Sequence, residues 1–124
     1  MIRLVLESID PAVFRIPPMS GAGADLEFSG RVRPEEKGQA IHALHYEIYP
    51  GMTEGQLEVV EQETLGTFPL KSLVIVHRHG PIPVGETALW IQVQAPHRRE
   101  AMEALEFAVR RIKEIVPVWK GDAS

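Results

Sequence analysis

Between Ala24 and Arg33 the chain alternates without a break: Ala24, Leu26, Phe28, Gly30 and Val32 fall on one side, Asp25, Glu27, Ser29, Arg31 and Arg33 on the other. Successive strand side chains point to opposite faces, so this pattern predicts a half-buried strand. Ile2 to Leu6 reads as a shorter strand, and Ala40 to Tyr49, rich in aromatic and branched residues, as another. The polar stretch Pro34-Glu35-Glu36-Lys37-Gly38 predicts a hairpin joining Ala24–Arg33 to Ala40–Tyr49. Leu70 to His77 and Thr87 to Ala95 are two more strands; the segment between them, Gly80 to Gly85, carries Pro81 and Pro83 and predicts an interruption of the ladder.

Two segments carry the helical period instead. Thr53 with Gln56 has the spacing of a capping box, and Leu57, Val60, Thr64 and Leu65 follow on one face, with Gly66 as the stop. From about Pro96 to Ile115 the stripe is Ala101, Ala104, Leu105, Ala108, Ile112 and Ile115. Pro117 ends that helix and leaves Trp119 and Lys120 on a short tail. Asp10-Pro11, Pro17-Pro18 and Gly21-Ala22-Gly23 mark an irregular connection after the first strand. Strands, helix, strands, helix, without regular βαβ alternation, predict an α+β fold with a mainly antiparallel sheet and two principal helices. With 124 residues and 44% hydrophobic content, the expectation is one domain over 1–124.

Composition narrows the function classes. A formal charge of −4 argues against nucleic-acid binding, which calls for a net basic footprint. No apolar run nears the roughly 20 residues of a membrane span, and Arg3 and Glu7 interrupt any leader-like run, so a soluble, cytoplasmic protein is expected. With zero cysteines, no disulfide, thiolate ligand or cysteine nucleophile enters the chemistry.

The basic residues are clustered. Arg31 and Arg33 end one strand, His97, Arg98 and Arg99 open the last helix, and Lys113 and Lys120 lie at its far end. Cations at a helix N-terminus oppose the macrodipole, and a bound anion held by His97, Arg98 and backbone N–H groups would remove that conflict. Arg98 and Lys113 are fifteen residues apart, or about 22 Å along one helix axis. They can share a small ligand only if a second copy brings the two helix ends together, as a two-fold dimer does. Unrelated surface clusters are the alternative. His77 and His79 share a strand face as an HxH metal pair would, but no third ligand accompanies them, so hydrogen-bonded structural histidines are expected and no metal site.

Five pieces in order and spacing then carry a family likeness: Gly30-Arg31-Val32-Arg33; Leu44-His45-Tyr46-Glu47 with Tyr49 and Met52; His77-Arg78-His79-Gly80 with Val84-Gly85-Glu86; His97-Arg98 with Ala101; and Ile112-Lys113 with Val116-Pro117-Val118-Trp119-Lys120. From about Ala24 to Lys120 the chain resembles the large, catalytic subunit of the molybdopterin synthase (MoaE) family. The resemblance implies an α/β-hammerhead fold and a homodimer within a heterotetramer. Each protomer would take a small ubiquitin-like sulfur carrier whose C-terminal Gly-Gly thiocarboxylate enters a pocket. The implied substrate is cyclic pyranopterin monophosphate, converted to the dithiolene of molybdopterin by two sulfur transfers, with no cofactor. By matching positions the implied substrate-binding residues are Arg31, Val32, Arg33, His97, Arg98, Lys113, Lys120, Gly121 and Asp122, with Lys113 and Lys120 catalytic. Phe28, Val109 and Trp119 are the expected pocket for the partner's tail. The tail after Lys120, Gly121-Asp122-Ala123-Ser124, departs from the further charged residues usual in the family. A non-catalytic dimeric scaffold of the same fold is the alternative reading.

Overall fold

The computed structural model describes residues 1–122, with side chains described through Pro117. In order, the elements are β1 (Ile2–Val5), a one-turn α1 (Pro11–Phe14), β2 (Ala24–Arg31), β3 (Glu35–Glu36), β4 (Gln39–Ala40), β5 (Ala43–Ile48), α2 (Met52–Thr67), β6 (Ser72–Arg78), β7 (Gly80–Pro83), β8 (Thr87–Ala95), α3 (Arg98–Ile115) and β9 (Val118–Asp122). The α+β class and the mainly antiparallel pairing hold; among the described residues β1 with β6 is the parallel exception. No helix among them is long and apolar enough to cross a membrane.

A four-stranded sheet in the order β1-β6-β8-β2 forms the body. In β8 the alternation serves two layers, because both faces of the sheet are covered. Leu89, Ile91, Val93 and Ala95 point to the face packed by α2 and α3, against Leu57, Val60, Ala101, Ala104, Ala108 and Ile112. Trp90 points the other way, with Val74 and Val76, onto Ile9, Phe14 and Ile16 of the irregular segment. Gln92 and Gln94, both fully buried on that second face, fasten the segment. Ile16 N donates to Gln92 Oε1 at 2.7 Å and Met19 N to Gln94 Oε1 at 2.7 Å, while the amide nitrogens donate to Ile16 O and Pro17 O at 2.9 and 3.0 Å. Buried amides are tolerated there because a loop with no ladder of its own needs those partners.

The expected hairpin between Ala24–Arg33 and Ala40–Tyr49 does not form. β2 pairs with β8 along its length, and β5 belongs to a separate three-stranded sheet, β7-β5-β9. A register shift between Gly30 and Arg31 ends the first ladder, and Val32 drops into a second core with Ile41, Leu44, Ile82 and Ala88. Only the short β3–β4 hairpin occupies the polar stretch. Burying Val32 away from its own strand-mates outweighs local pairing, which is why sequence adjacency misleads here.

Two further expectations are corrected. The proline-rich stretch is a strand, β7, paired with β5 so that Pro81 faces His45 and Pro83 faces Ala43, with Ile82 fully buried between them. β7 is an edge strand, where a missing N–H costs no ladder bond on the open side. Gly80, at φ 84°, supplies the backbone conformation that turns the chain from β6 into β7. Trp119 and Lys120 are not on a free tail: β9 pairs antiparallel with β5, Lys120 opposite Tyr46 and Val118 opposite Ile48.

Thr53 does not cap α2, whose N-cap is Gly51; it lies inside the helix, fully buried. Its Oγ1 accepts from Tyr49 N at 2.9 Å and donates to Pro117 O at 2.7 Å. One hydroxyl therefore joins the end of β5 to the start of β9. Gly66 lies within α2, which continues to Thr67, and Leu65 is exposed instead of completing the apolar stripe. Thr53→Val keeps the shape but strands both backbone groups, so it is expected to cost about 1–3 kcal/mol. Urea unfolding should show a lower midpoint with an unchanged slope.

Candidate functional site

The switch of Val32 from one core to the other shapes the site. Val32 N donates to Glu86 O at 3.0 Å and Gly85 N donates to Val32 O at 2.8 Å, pinning the residue between two exposed arginines, Arg31 and Arg33. Both border a cavity of about 470 Å³ where the body sheet, the last turn of α3 and β5 meet. Lys113 enters from α3; Phe28, Tyr46, His77 and Leu89 supply aromatic and apolar wall. Val32 itself is 3% exposed and turned into the second core, so it shapes the strand end and does not face the cavity.

Charge pairing separates these cations from the rest of the surface. On α3, Arg99, Arg110 and Arg111 each lie within 4 Å of a glutamate. Arg98 and Lys113 have no hydrogen-bond or ion-pair partner among the described residues, and neither have Arg31 and Arg33. Three cations on one cavity rim thus have no partner among the described residues, and each can donate charge-assisted hydrogen bonds to an anion without first breaking one.

The cavity wall is less polar than the rim. His77 continues the Leu73–Ile75 face of β6, is 5% exposed, and its Nδ1 lies 2.8 Å from Arg78 O. A carbonyl can only accept, so Nδ1 carries the proton. Burial pushes the His77 pKa below its ordinary value, and His79 nearby acts in the same direction. The Tyr46 ring packs 5.9 Å from that of His77, and its hydroxyl is held above its usual pKa, first by burial and then by Glu36.

A second, mainly apolar groove of about 610 Å³ adjoins, lined by Leu26, Phe28, Met102, Leu105 and Val109, with Glu106, Arg110, Lys113 and Glu114 of α3 along one side. Phe28 and Lys113 belong to both hollows. The Phe28 ring lies close over Gly30, where a Cβ would come within 3.2 Å of Phe28 Cε2. A side chain at this glycine of the Gly-Arg-Val-Arg strand end would therefore press on the wall shared by groove and cavity and require the ring to give slightly.

The structure thus gathers Arg31, Arg33, Lys113 and Phe28, with Val109 in the adjoining groove. In β9 the backbone of Lys120, Gly121 and Asp122 runs opposite Tyr46, His45 and Leu44; the side chains of Trp119, Lys120 and Asp122 lie outside the described residues. His97 and Arg98 are at the opposite end of α3 from Lys113. His97 is the N-cap residue but makes no capping hydrogen bond; its Nδ1 is 3.6 Å from Glu100, an acidic residue of the first turn that relieves part of the dipole conflict. Tyr46 and His77 as cavity wall were missed by sequence reasoning, because the alternation that marks a face does not say which sheets meet there. No three His, Asp or Glu side chains gather as metal ligands among the described residues.

Comparison with known proteins bears on what this arrangement serves. Residues 6–115 match the family model described as MoaE protein. The molybdopterin synthase catalytic subunit of Staphylococcus aureus is 43% identical over 98 residues, 79% of this chain and 66% of that protein. That of Pyrococcus abyssi is 39% identical over 105 residues, covering 85% of this chain and 71% of its own length. The chain thus spans about two thirds of the length of the curated relatives it matches. The crystal structure of molybdopterin synthase from Staphylococcus aureus superposes with a TM-score of 0.84 at 35% identity, over 98% of this chain and 91% of that one. A complex of subunits 1 and 2 of the molybdopterin-converting factor from Helicobacter pylori has a TM-score of 0.76 at 20% identity, over 98% of this chain and 83% of that one, a likeness of fold.

The buried histidine gives a pH test. Its folded pKa lies below the ordinary 6.5, so the unfolded chain binds the proton more readily and stability rises with pH across the gap. The contribution is complete above the unfolded value and is lost as pH falls from there through the folded one. Thermal melts between about pH 7 and pH 5 should show a steeper acid loss for the wild type than for His77→Gln; parallel curves would contradict this.

Proposed function

The chain belongs to the MoaE family, and from that premise we propose that it is the catalytic subunit of a molybdopterin synthase, active with a small ubiquitin-like sulfur carrier. It converts cyclic pyranopterin monophosphate to the dithiolene of molybdopterin, taking sulfur from the carrier's C-terminal thiocarboxylate. A cytoplasmic site of action is part of the same proposal. The observation that carries it is the shared wall: a cavity rimmed by Arg31, Arg33 and Lys113 and a mainly apolar groove meet at Phe28 and Lys113.

Each half of that arrangement suits one reactant. Arg31 and Arg33, with no carboxylate partners among the described residues, suit a phosphate. The groove suits an extended Gly-Gly tail, since residues lacking Cβ bring a terminal carboxyl group deepest between packed side chains. A tail following the groove ends at Lys113, beside the cavity. There the thiocarboxylate sulfur bonds to a side-chain carbon of the pterin and displaces an oxygen substituent. Water then cleaves the carrier's C(O)–S bond to leave a carboxylate on the tail and the sulfur on the pterin, and the Lys113 ammonium, fixed on a helix, stabilises the anionic charge that develops. Lys120, whose backbone sits opposite Tyr46, acts from the facing strand. The sulfur belongs to the carrier, so a chain with zero cysteines is equipped for the task.

His97 and Arg98 complete the phosphate site only across a dimer. Fifteen residues separate Arg98 from Lys113 on one straight helix, about 22 Å, too far for one small ligand to span. We therefore assign both to the site of a second copy, within a homodimer that carries one small subunit per protomer.

Single-turnover conversion of the precursor with saturating thiocarboxylated carrier tests the reading. Lys113→Ala is expected to lose roughly 10²-fold or more in turnover, the scale of one preorganised donor, while melting like the wild type. Lys120→Ala should also lose turnover, because its strand is held in register opposite the cavity wall. Arg98→Ala should chiefly raise KM, since its phosphate contact exists already in the ground state. Wild-type turnover by folded Lys113→Ala would favour the scaffold reading.

The dimer makes a separate demand. Lys113→Ala and Arg98→Ala subunits, unfolded and refolded together at subsaturating precursor, should regain activity, because one site of each mixed dimer has both residues intact. No recovery in demonstrably mixed dimers would place both residues in one protomer's site or none.

A further inference from the structure

His77 is the buried titratable group that the sulfur-transfer chemistry leaves without a task. Its ring stands on the cavity wall beneath the Arg31–Arg33–Lys113 rim, with Nδ1–H committed to Arg78 O at 2.8 Å. That bond fixes the tautomer and leaves Nε2 as an acceptor. Nε2 has no hydrogen-bond partner among the described residues, yet it is not among the side-chain atoms sealed from solvent without a partner. With the residue 5% exposed and its ring lining the cavity, the opening that reaches Nε2 is the cavity itself.

Resting on the function proposed above, we propose that His77 is a specificity-determining residue whose Nε2 accepts a hydrogen bond from an N–H of the bound pterin heterocycle. The chemistry of the wall favours this division of labour. A phosphate presents only acceptor oxygens when ionised and is served by the cationic rim. A reduced pterin presents several N–H donors, which cations cannot serve. Among the cavity residues whose side chains are described, Arg31, Arg33 and Lys113 are donors only, and Phe28, Gly30, Ala88, Leu89, Ile112 and Val116 offer no side-chain polar atom. Tyr46 and His77 remain, and Tyr46 already has an interaction of its own. A histidine kept neutral by burial supplies an acceptor that a cationic rim would otherwise lack. Arg78 acts on it through the backbone: its carbonyl orients the ring, while its side chain is anchored elsewhere, on Leu6 O at 3.1 Å and Glu86 at 2.6 Å.

Two substitutions separate binding from structure. In His77→Asn the amide nitrogen takes the place of Nδ1 and keeps the bond to Arg78 O, but nothing stands where Nε2 was. In His77→Gln the amide oxygen reaches the Nε2 position and the Nδ1 bond is lost. With full-length protein and saturating thiocarboxylated carrier, His77→Asn is expected to raise KM for the pterin precursor about ten-fold with kcat within about two-fold, the pattern of a contact made equally in ground and transition states. His77→Gln should melt lower yet keep KM within about three-fold of the wild type. Direct binding of the precursor, without carrier, should follow the same order. An unchanged KM in His77→Asn, or a loss in His77→Gln as large as in His77→Asn, would overturn the assignment. Failure of the wild type to convert the precursor at all would instead strike the function on which it rests.

Discussion

Burial of β8 on both faces is the constraint from which the other placements follow. Its residues from Ala88 to Ala95 are all buried, and alternate side chains answer to different layers: an apolar row for the two long helices, and Trp90, Gln92 and Gln94 for the irregular segment opposite. A strand used in this way needs neighbours on both edges and cover on both sides, and β6, β2, α3 and residues 9–19 supply them. The cavity rimmed by Arg31, Arg33 and Lys113 forms where this arrangement runs out. There β2 breaks register at Gly30, β6 ends at Arg78, and the last turn of α3 overhangs the gap.

That geometry explains the chemistry of the wall. The end of β6 is close enough to the core to be desolvated and far enough along to border the cavity, while β2 ends in an exposed arginine. His77 is the clearest case: it continues a core face and is buried like its neighbours, yet it borders the cavity. The cations around it come from separate elements, so no short stretch of sequence contains the rim.

How much could be read beforehand follows the same division. Most element bounds and apolar faces were legible: Ala24–Arg33 alternates as expected, Thr87–Ala95 has the bounds expected of it although it is buried on both faces, and Ala101, Ala104, Ala108 and Ile112 of α3 are buried as their spacing required. Pairings were less so. Nothing local reveals that Val32 abandons its own sheet, that two prolines are admissible because their strand is an edge, or that residues after Pro117 return to β5. Thr53 shows how a correct local signature loses to tertiary context: the spacing to Gln56 was real, but the hydroxyl was claimed by Tyr49 and Pro117. Arg31, Arg33 and Lys113 of the rim stood out in the sequence as clustered cations and through the family likeness, and Phe28 through the likeness, whereas Tyr46 and His77 as wall came from the structure alone.

The pairing of β9 with β5 joins residues about seventy positions apart, Ile48 with Val118, and β9 is the outer strand of its sheet. Closing a loop of that length costs conformational entropy that the pairing has to offset. Pro117 separates the strand from Val116, which packs in the core beside β8, so the pairing of β9 and the closure of the body are distinct contacts. A measurement that reports the closure of the body around β8 therefore does not by itself report the register of β9.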